Sequence, residues 1–208
     1  MLMRRKGFAL TAPGTGSLPR LVLLALCFAG GVFLGQVLAG RVPEDVGEQL
    51  GAYLRDYVRL ERTASPDAVL PALALYFRYP LLAFLLGFSA VGVVLLPCLT
   101  VVFGFFLSFS VCCFTAAFGA DGLLVALAVL GWRCLVTLPC YFLLAVPGWG
   151  LAAGLAAVSF GRGQRPPPAG RAWWRRAALC GAVLLAGVCV ELALPPALLR
   201  LALGHLTL

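Results

Sequence analysis

The sequence is poor in the side chains that do chemistry. Among 208 residues there is one histidine, His205, and only eight aspartates and glutamates, and 12% of the chain is charged. A soluble domain carries about 25% charged and about 45–50% apolar residues, whereas this chain is 62% hydrophobic with a mean hydropathy of +1.01. A folded chain of this size keeps roughly a quarter to a third of its surface wet, so the excess apolar surface must face lipid. The shortage of charge thereby excludes a cytosolic enzyme, a disordered tail and a secreted disulfide scaffold. Motifs are missing too. The chain has no H-E-x-x-H, G-x-S-x-G or P-loop run, and an intramembrane hydrolase needs a nucleophile with its base or a metal with its ligands. His205, three residues from the end, reads as a tail residue. No two of the eight cysteines form a Cys-x-x-Cys pair, and each lies in or beside an apolar run. They read as small hydrophobes of membrane helices, with a metal or redox site as the alternative. No cofactor is implied, and no repeat of fixed period is visible.

What is present is a series of apolar blocks, and it predicts an all-α, polytopic helical membrane protein in a single membrane domain. Arg4, Arg5, Lys6 and Arg20 precede the apolar run Leu21–Ala39, about 28 Å of helix against a hydrocarbon core of about 30 Å. Val37-Leu38-Ala39 loosely resembles a signal-peptide cleavage site, but the apolar stretch exceeds the usual 7–15 residues, which favours an uncleaved first span over 21–39. Residues 41–78 form the one sizeable polar stretch, with six acidic and five basic residues. Pro43, Glu44 and Asp45 suit a first helical turn, and Val46, Leu50, Tyr53, Leu54, Tyr57 and Val58 recur at helical spacing, giving one apolar face. Ser65-Pro66-Asp67 restarts a helix, with Val69, Leu70, Leu73, Tyr76 and Phe77 as its apolar face. The stretch predicts two short helices lying on the membrane surface.

From Leu81 to Phe118 the chain carries no charge. Pro97 is the natural break, predicting spans over 80–96 and 98–118 whose backbones approach at Gly87, Gly92 and Gly104. Ser108 and Ser110 lie within them as interhelical hydrogen-bonding groups. A turn, Gly119-Ala120-Asp121-Gly122, is followed by a run to Gly131 that is too short to cross. Gly131-Trp132-Arg133 interrupts the apolar pattern, and the next span is predicted over 135–159. The block therefore reads as a half-helix, a break and a full span. Arg133 facing lipid would cost about 2.5–3.5 kcal/mol, so it should snorkel, face protein or meet a carboxylate, of which Glu191 is one choice. A basic linker over 161–176 contains Pro166-Pro167-Pro168, with Trp173 and Trp174 placed for an interfacial belt. The last span is predicted over 177–194, ending at Glu191 and Pro195-Pro196.

The N-terminal arm and the 161–176 linker hold nine of the sixteen basic residues and no acid. Five spans put both on one side, and the positive-inside rule makes that side cytoplasmic. Residues 41–78, the 119–122 turn and the C-terminus are then extracytoplasmic. The net charge of +8 is matched to anionic lipid heads and not to nucleic acid.

The order of these features resembles the stage II sporulation protein M family over about residues 20–200. Gly31-Val32-Phe33-Leu34-Gly35 ends the first span, and Phe77-Arg78-Tyr79 leads into the second. Phe84-Leu85-Leu86-Gly87-Phe88-Ser89 precedes Gly92 and Pro97. Phe103-Gly104-Phe105-Phe106-Leu107-Ser108-Phe109 leads to Phe118-Gly119, and Leu138-Pro139, Val190-Glu191 and Pro195 follow. Many members carry a His-Gly and a Glu where this chain has Gly131-Trp132-Arg133 and Thr137. The resemblance implies a non-enzymatic bacterial cell-membrane protein of the engulfment machinery, holding peptidoglycan-degrading sporulation proteins of the D and P type at the septum. It carries over Pro139, Glu191 and Pro195 as structural marks only. Tyr53 and Tyr57, on the amphipathic stretch, are the candidate docking residues. The alternative is a permease component pairing with a separate ATPase, suggested by the interrupted block at Arg133.

Overall fold

The computed structural model describes residues 17–41, 69–119, 122–161 and 170–193. Those residues form the helices α1 (Leu18–Ala39), α2 (Val69–Leu86), α3 (Gly92–Phe118), α4 (Gly122–Ala126), a π-helical segment (Leu127–Gly131), α5 (Trp132–Ser159) and α6 (Arg171–Ala193). Four of these helices are long and apolar enough to cross a membrane, namely α1, α3 over Gly92–Ala116, α5, and α6 over Arg171–Val190; the apolar part of α2, Leu73–Leu86, is shorter. The fold is an all-α, polytopic membrane fold.

Three boundaries differ from the sequence-based expectation. The hairpin expected to turn at Pro97 turns at residues 87–91 instead. Phe88 N–H donates to Leu85 O and Ser89 N–H to Leu86 O, each at 3.1 Å, and Gly92 N–H donates to Ser89 O at 3.0 Å. The spans drawn at 80–96 and 98–118 thus become one helix ending at Leu86 and a second beginning at Gly92. Pro97 lies inside α3. A helix-interior proline leaves the carbonyl four residues earlier without its donor, here that of Val93. The Trp149 indole N–H of α5 donates to that oxygen at 3.0 Å, so α3 continues through the proline.

The second correction concerns residues 69–78, expected on a separate surface helix. They belong to α2, which runs on through Pro80 to Leu86. The partner helix expected over 43–62, with Tyr53 and Tyr57, lies outside the described residues.

The third concerns the predicted half-helix and break before Arg133. Residues 122–159 are helical without interruption, and the irregularity is the π-helical segment, one turn ahead of Arg133.

α1 and α3 run parallel and in close contact. Gly31 and Gly35 form a G-x-x-x-G pair that lets backbones meet. A Cβ on Gly31 would overlap the Val101 carbonyl, and one on Gly35 would lie 2.6 Å from Phe105 O. Gly104 abuts Phe28 of α1, and Gly87 abuts Gly148 of α5, so the glycines expected to close the α2–α3 hairpin mostly serve other pairs. Phe28, Leu24, Tyr79, Ala83, Leu96, Phe103, Tyr141 and Ala145 make one core. Within it the Thr100 hydroxyl donates to Leu96 O at 2.8 Å and pairs with the Tyr141 hydroxyl at 2.7 Å. Tyr76, Cys140, Leu144, Cys180, Leu184 and Val188 make a second core between α2, α5 and α6.

Contacts at the helix ends fix which termini share a side. Arg20 reaches Gly150, and Gly148 meets both Gly87 and Trp173. The start of α1, the 87–91 turn, the end of α5 and the start of α6 therefore lie together, and the 40–41, 69, 119–122 and 193 ends lie opposite. Trp174 is 57% exposed, as an interfacial residue should be, but Trp173 is 5% exposed. It stacks on Phe84 with ring centroids 5.6 Å apart, and so packs the bundle end.

Candidate functional site

A cavity with polar side chains in its wall lies between α2, α3, the π-helical segment and α5. It has a volume of about 140 Å³, and Arg78, Arg133, Thr137 and Ser110 contribute its polar lining, with Phe103 and Leu130 among its apolar walls. A second cavity of about 290 Å³ adjoins it and shares Leu107, Leu130 and Cys134 with it. The lining of the second is apolar, from Val111 and Leu123 to Leu127.

Each arginine lies over a tyrosine of α2. The Arg78 guanidinium carbon is 4.4 Å from the Tyr79 ring centroid, and that of Arg133 is 5.7 Å from the Tyr76 ring centroid. Both distances fall within the range of cation–π attraction, which grows when the pair is removed from water. Arg78 also donates to the Tyr79 hydroxyl. The Tyr79 ring in turn stacks on Phe103 at 4.3 Å, so the aromatic platform under Arg78 is held by α3. Thr137, 4% exposed, has a buried hydroxyl oxygen with no hydrogen-bond partner among the described residues. A threonine in a helix usually donates back to the carbonyl one turn earlier, as Thr100 does to Leu96. Thr137 does not, although the residue itself is part of the cavity wall.

Of the residues singled out from sequence, the structure places Arg133 at this cavity. Pro139 lies two residues beyond Thr137, exposed and inside α5. Glu191 stands on the last turn of α6, and its side chain lies outside the described residues, as does the proposed Arg133–Glu191 pair. Tyr53, Tyr57 and Pro195 also lie outside. Sequence reasoning misses Arg78. It counts that residue into the polar stretch 41–78, although Phe77-Arg78-Tyr79-Pro80 is continuous with the apolar run that follows. That continuity is the available signal, because a helix entering the membrane carries its last cation inward. Among the described residues no group of three or more His, Cys, Asp or Glu could hold a metal ion. Cys140 and Cys180 face one another, each thiol 3.9–4.0 Å from the other residue's backbone carbonyl.

Helices of this length and apolarity, packed through glycines around a buried aromatic core, define a multi-pass α-helical membrane protein. Comparison with protein families then places it. The family described as SpoIIM, Stage II sporulation protein M, matches residues 24–194, and the chain belongs to that family. It is a sporulation-related integral membrane protein. No curated protein and no solved structure is similar enough to count as a match.

Proposed function

We propose that the protein is a non-enzymatic membrane anchor that recruits peptidoglycan hydrolases, of the D and P sporulation type, to the septum during engulfment. The observation that carries this reading is family membership over residues 24–194. The bundle adds a physical support. Arg41 and Val69 emerge at the same end, so the 42–68 stretch is tethered at both ends to one face. That stretch is amphipathic by sequence and too short for a core of its own, which suits docking to a partner. The positive-inside rule supports this face being the outer one, because the N-terminal arm and the 161–176 segment join the opposite end and hold nine of the sixteen basic residues and no acid.

Affinity capture of the tagged protein from native cells in mild detergent, read by mass spectrometry, tests the proposal. Peptidoglycan hydrolases should be recovered, and should be lost from the Tyr53→Asp/Tyr57→Asp variant while the protein still reaches the membrane. Recovery of a nucleotide-binding subunit in their place would overturn it. Orientation has its own test. A cysteine placed at Gly119 in a chain stripped of native cysteines should take an impermeant thiol label in intact cells, and one at Gly161 should not.

A further inference from the structure

Arg78 has no part in docking a hydrolase on the 42–68 stretch, yet it stands where an arginine is costly. We infer that it marks a docking face for the transmembrane helix of a partner protein, a helix that carries a carboxylate near the middle of the bilayer.

Depth is the first argument. The apolar run Leu21–Ala39 of α1 gives the level of the hydrocarbon core, and its midpoint is Gly30. Phe28, about 3 Å from that midpoint at 1.5 Å per residue, packs edge-on against Phe103 with ring centroids 5.8 Å apart. Phe103 stacks on Tyr79 at 4.3 Å, and the Arg78 guanidinium carbon lies 4.4 Å from the Tyr79 ring centroid. In a core of about 30 Å this puts the charge roughly 12 Å from the nearer interface. Long cationic side chains in membranes usually bend toward the headgroups. Arg78 is held at its depth instead, because it donates to the hydroxyl of Tyr79, itself buried.

Charge is the second. The polar contacts of Arg78 among the described residues go to Tyr79, and the described lining of the cavity beside it holds no carboxylate. A guanidinium has five N–H donors, so the bond to Tyr79 leaves most of them for another acceptor. An arginine at this depth marks a functional site by default and pairs with an opposite charge. A carboxylate is the matching group, since it accepts two parallel N–H bonds. Lipid phosphates lie outside the hydrocarbon core, whereas a spanning helix can carry a carboxylate at its middle. A second copy of this chain offers none there. Its eight acids lie between residues 44 and 67, at 121 and at 191. Glu191 stands about 6 Å along α6 from Gly187, which meets Tyr76, and Arg78 lies on the other side of that level.

Shape is the third. Ala74, Arg78, Leu81 and Leu85 recur at the spacing of one helix face, and all four are exposed. Phe106 of α3 shares the cavity wall with Arg78 and is exposed as well. The arginine thus stands in an apolar face open to another helix. Ala74, one turn away, is small enough to let a partner backbone approach.

A defined probe tests the inference with the full chain in phosphatidylcholine liposomes. The probe is a labelled, lysine-ended Leu-Ala peptide of about 23 residues, long enough to span, with one glutamate at its midpoint. Energy transfer to the labelled protein reads association, at a peptide-to-lipid ratio low enough to keep the peptide monomeric. The glutamate peptide should bind at least about tenfold tighter than its glutamine counterpart, the worth of one charge-assisted hydrogen bond. Moving the glutamate about 10 Å toward either end should remove that advantage. Arg78→Gln should remove it too, while Arg162→Gln/Arg165→Gln, in the basic linker, should leave it unchanged. Phosphatidylglycerol in the liposomes should not compete. Equal binding of the glutamate and glutamine peptides overturns the proposal. So does an advantage that survives Arg78→Gln, which assigns it to another cation. Competition by phosphatidylglycerol likewise overturns it, by giving the arginine to a lipid. If Arg78→Gln fails to fold, the wild-type comparison of midpoint and displaced glutamate still decides, and equal affinity for the two overturns the proposal. The inference stands apart from the anchor reading, because the peptide assay can fail while hydrolases are still captured.

Discussion

Replacing Trp149 with phenylalanine should destabilise the bundle through a proline on another helix. Pro97 has no N–H, so Val93 O in α3 lacks its helical donor, and the Trp149 indole supplies one at 3.0 Å. Trp149→Phe removes that donor and keeps an aromatic ring in the core beside Leu96 and Tyr141. A net hydrogen bond is worth about 0.5–1.5 kcal/mol, and leaving a buried acceptor unsatisfied costs about 1–3 kcal/mol. Measured interhelical bonds in membranes average lower, about 0.6 kcal/mol with a maximum near 1.7. A loss of about 1–2 kcal/mol is therefore expected. The variant Pro97→Ala restores a backbone N–H able to reach Val93 O, and in that background Trp149→Phe should cost only the smaller ring's lost contacts. Equilibrium unfolding in mixed detergent micelles over the four-variant cycle measures the coupling, expected at about 1 kcal/mol. An additive cycle would refute the reasoning, because it would mean that the indole N–H does not substitute for the missing amide.

The remaining predictions concern the other interhelical contacts. Gly31→Ala forces a Cβ onto the Val101 carbonyl and should lower stability by about 1–3 kcal/mol in the same unfolding assay. Gly30→Ala, with open space around its Cβ, should be neutral or stabilising by up to about 1 kcal/mol through helix propensity. Thr100→Val should cost more than Tyr141→Phe, because it leaves the buried Tyr141 hydroxyl without its 2.7 Å partner while the reverse change leaves Thr100 bonded to Leu96 O. The two costs should differ by about 1 kcal/mol, and equal costs would contradict this assignment of donors.

Much of the architecture is legible in the sequence because hydrophobicity reports directly on lipid exposure. The first helix, the end of α3 before Gly119 and the end of α5 at Ser159 are legible from composition alone. The errors have a common cause. Pro97 and Gly131-Trp132-Arg133 look like breaks to any reading of local propensity, yet both lie inside continuous helix. At Pro97 a side chain from a helix distant in sequence repairs the defect, and at Gly131 the backbone takes the wider π turn. Neither repair leaves a local trace. The true turn at 87–91 is marked by Gly87, Ser89 and Gly92, but small residues are a weaker local signal than a proline. Gly31-Val32-Phe33-Leu34-Gly35 is legible as a family landmark, while its physical role as a G-x-x-x-G contact needs the position of Val101. The cavity is half legible. Arg133 stands out in an apolar block, whereas Arg78 hides at the edge of a polar one.

The π-helical segment has an assignable purpose, which a deletion can test. Along α5 the buried residues Thr137, Tyr141, Leu144, Ala145, Gly148 and Ala152 form one stripe at the spacing of a single helix face. Extended backward without irregularity, that stripe would pass through Ala126, eleven residues before Thr137. Ala126 is indeed buried, but α4 faces the end of α3, with Gly122 seated on Phe114 and Thr115, while the α5 stripe faces α2 and the aromatic core. The five residues Leu127–Gly131 accommodate one residue more than an α-helical register allows, and each residue turns the chain by about 100°. The segment therefore lets α4 and α5 bury different faces while remaining one rod. Deleting Ala128 should restore an α-helix and rotate one half against the other by about 100°. Since α5 is fixed by its longer stripe, α4 should lose its seat on α3, and the backbone amides of residues 122–126 should exchange with deuterium faster in the deletion than in the parent. Arg133 should stay at its cavity. Unchanged exchange after the deletion would show that the extra residue has no part in setting the two registers.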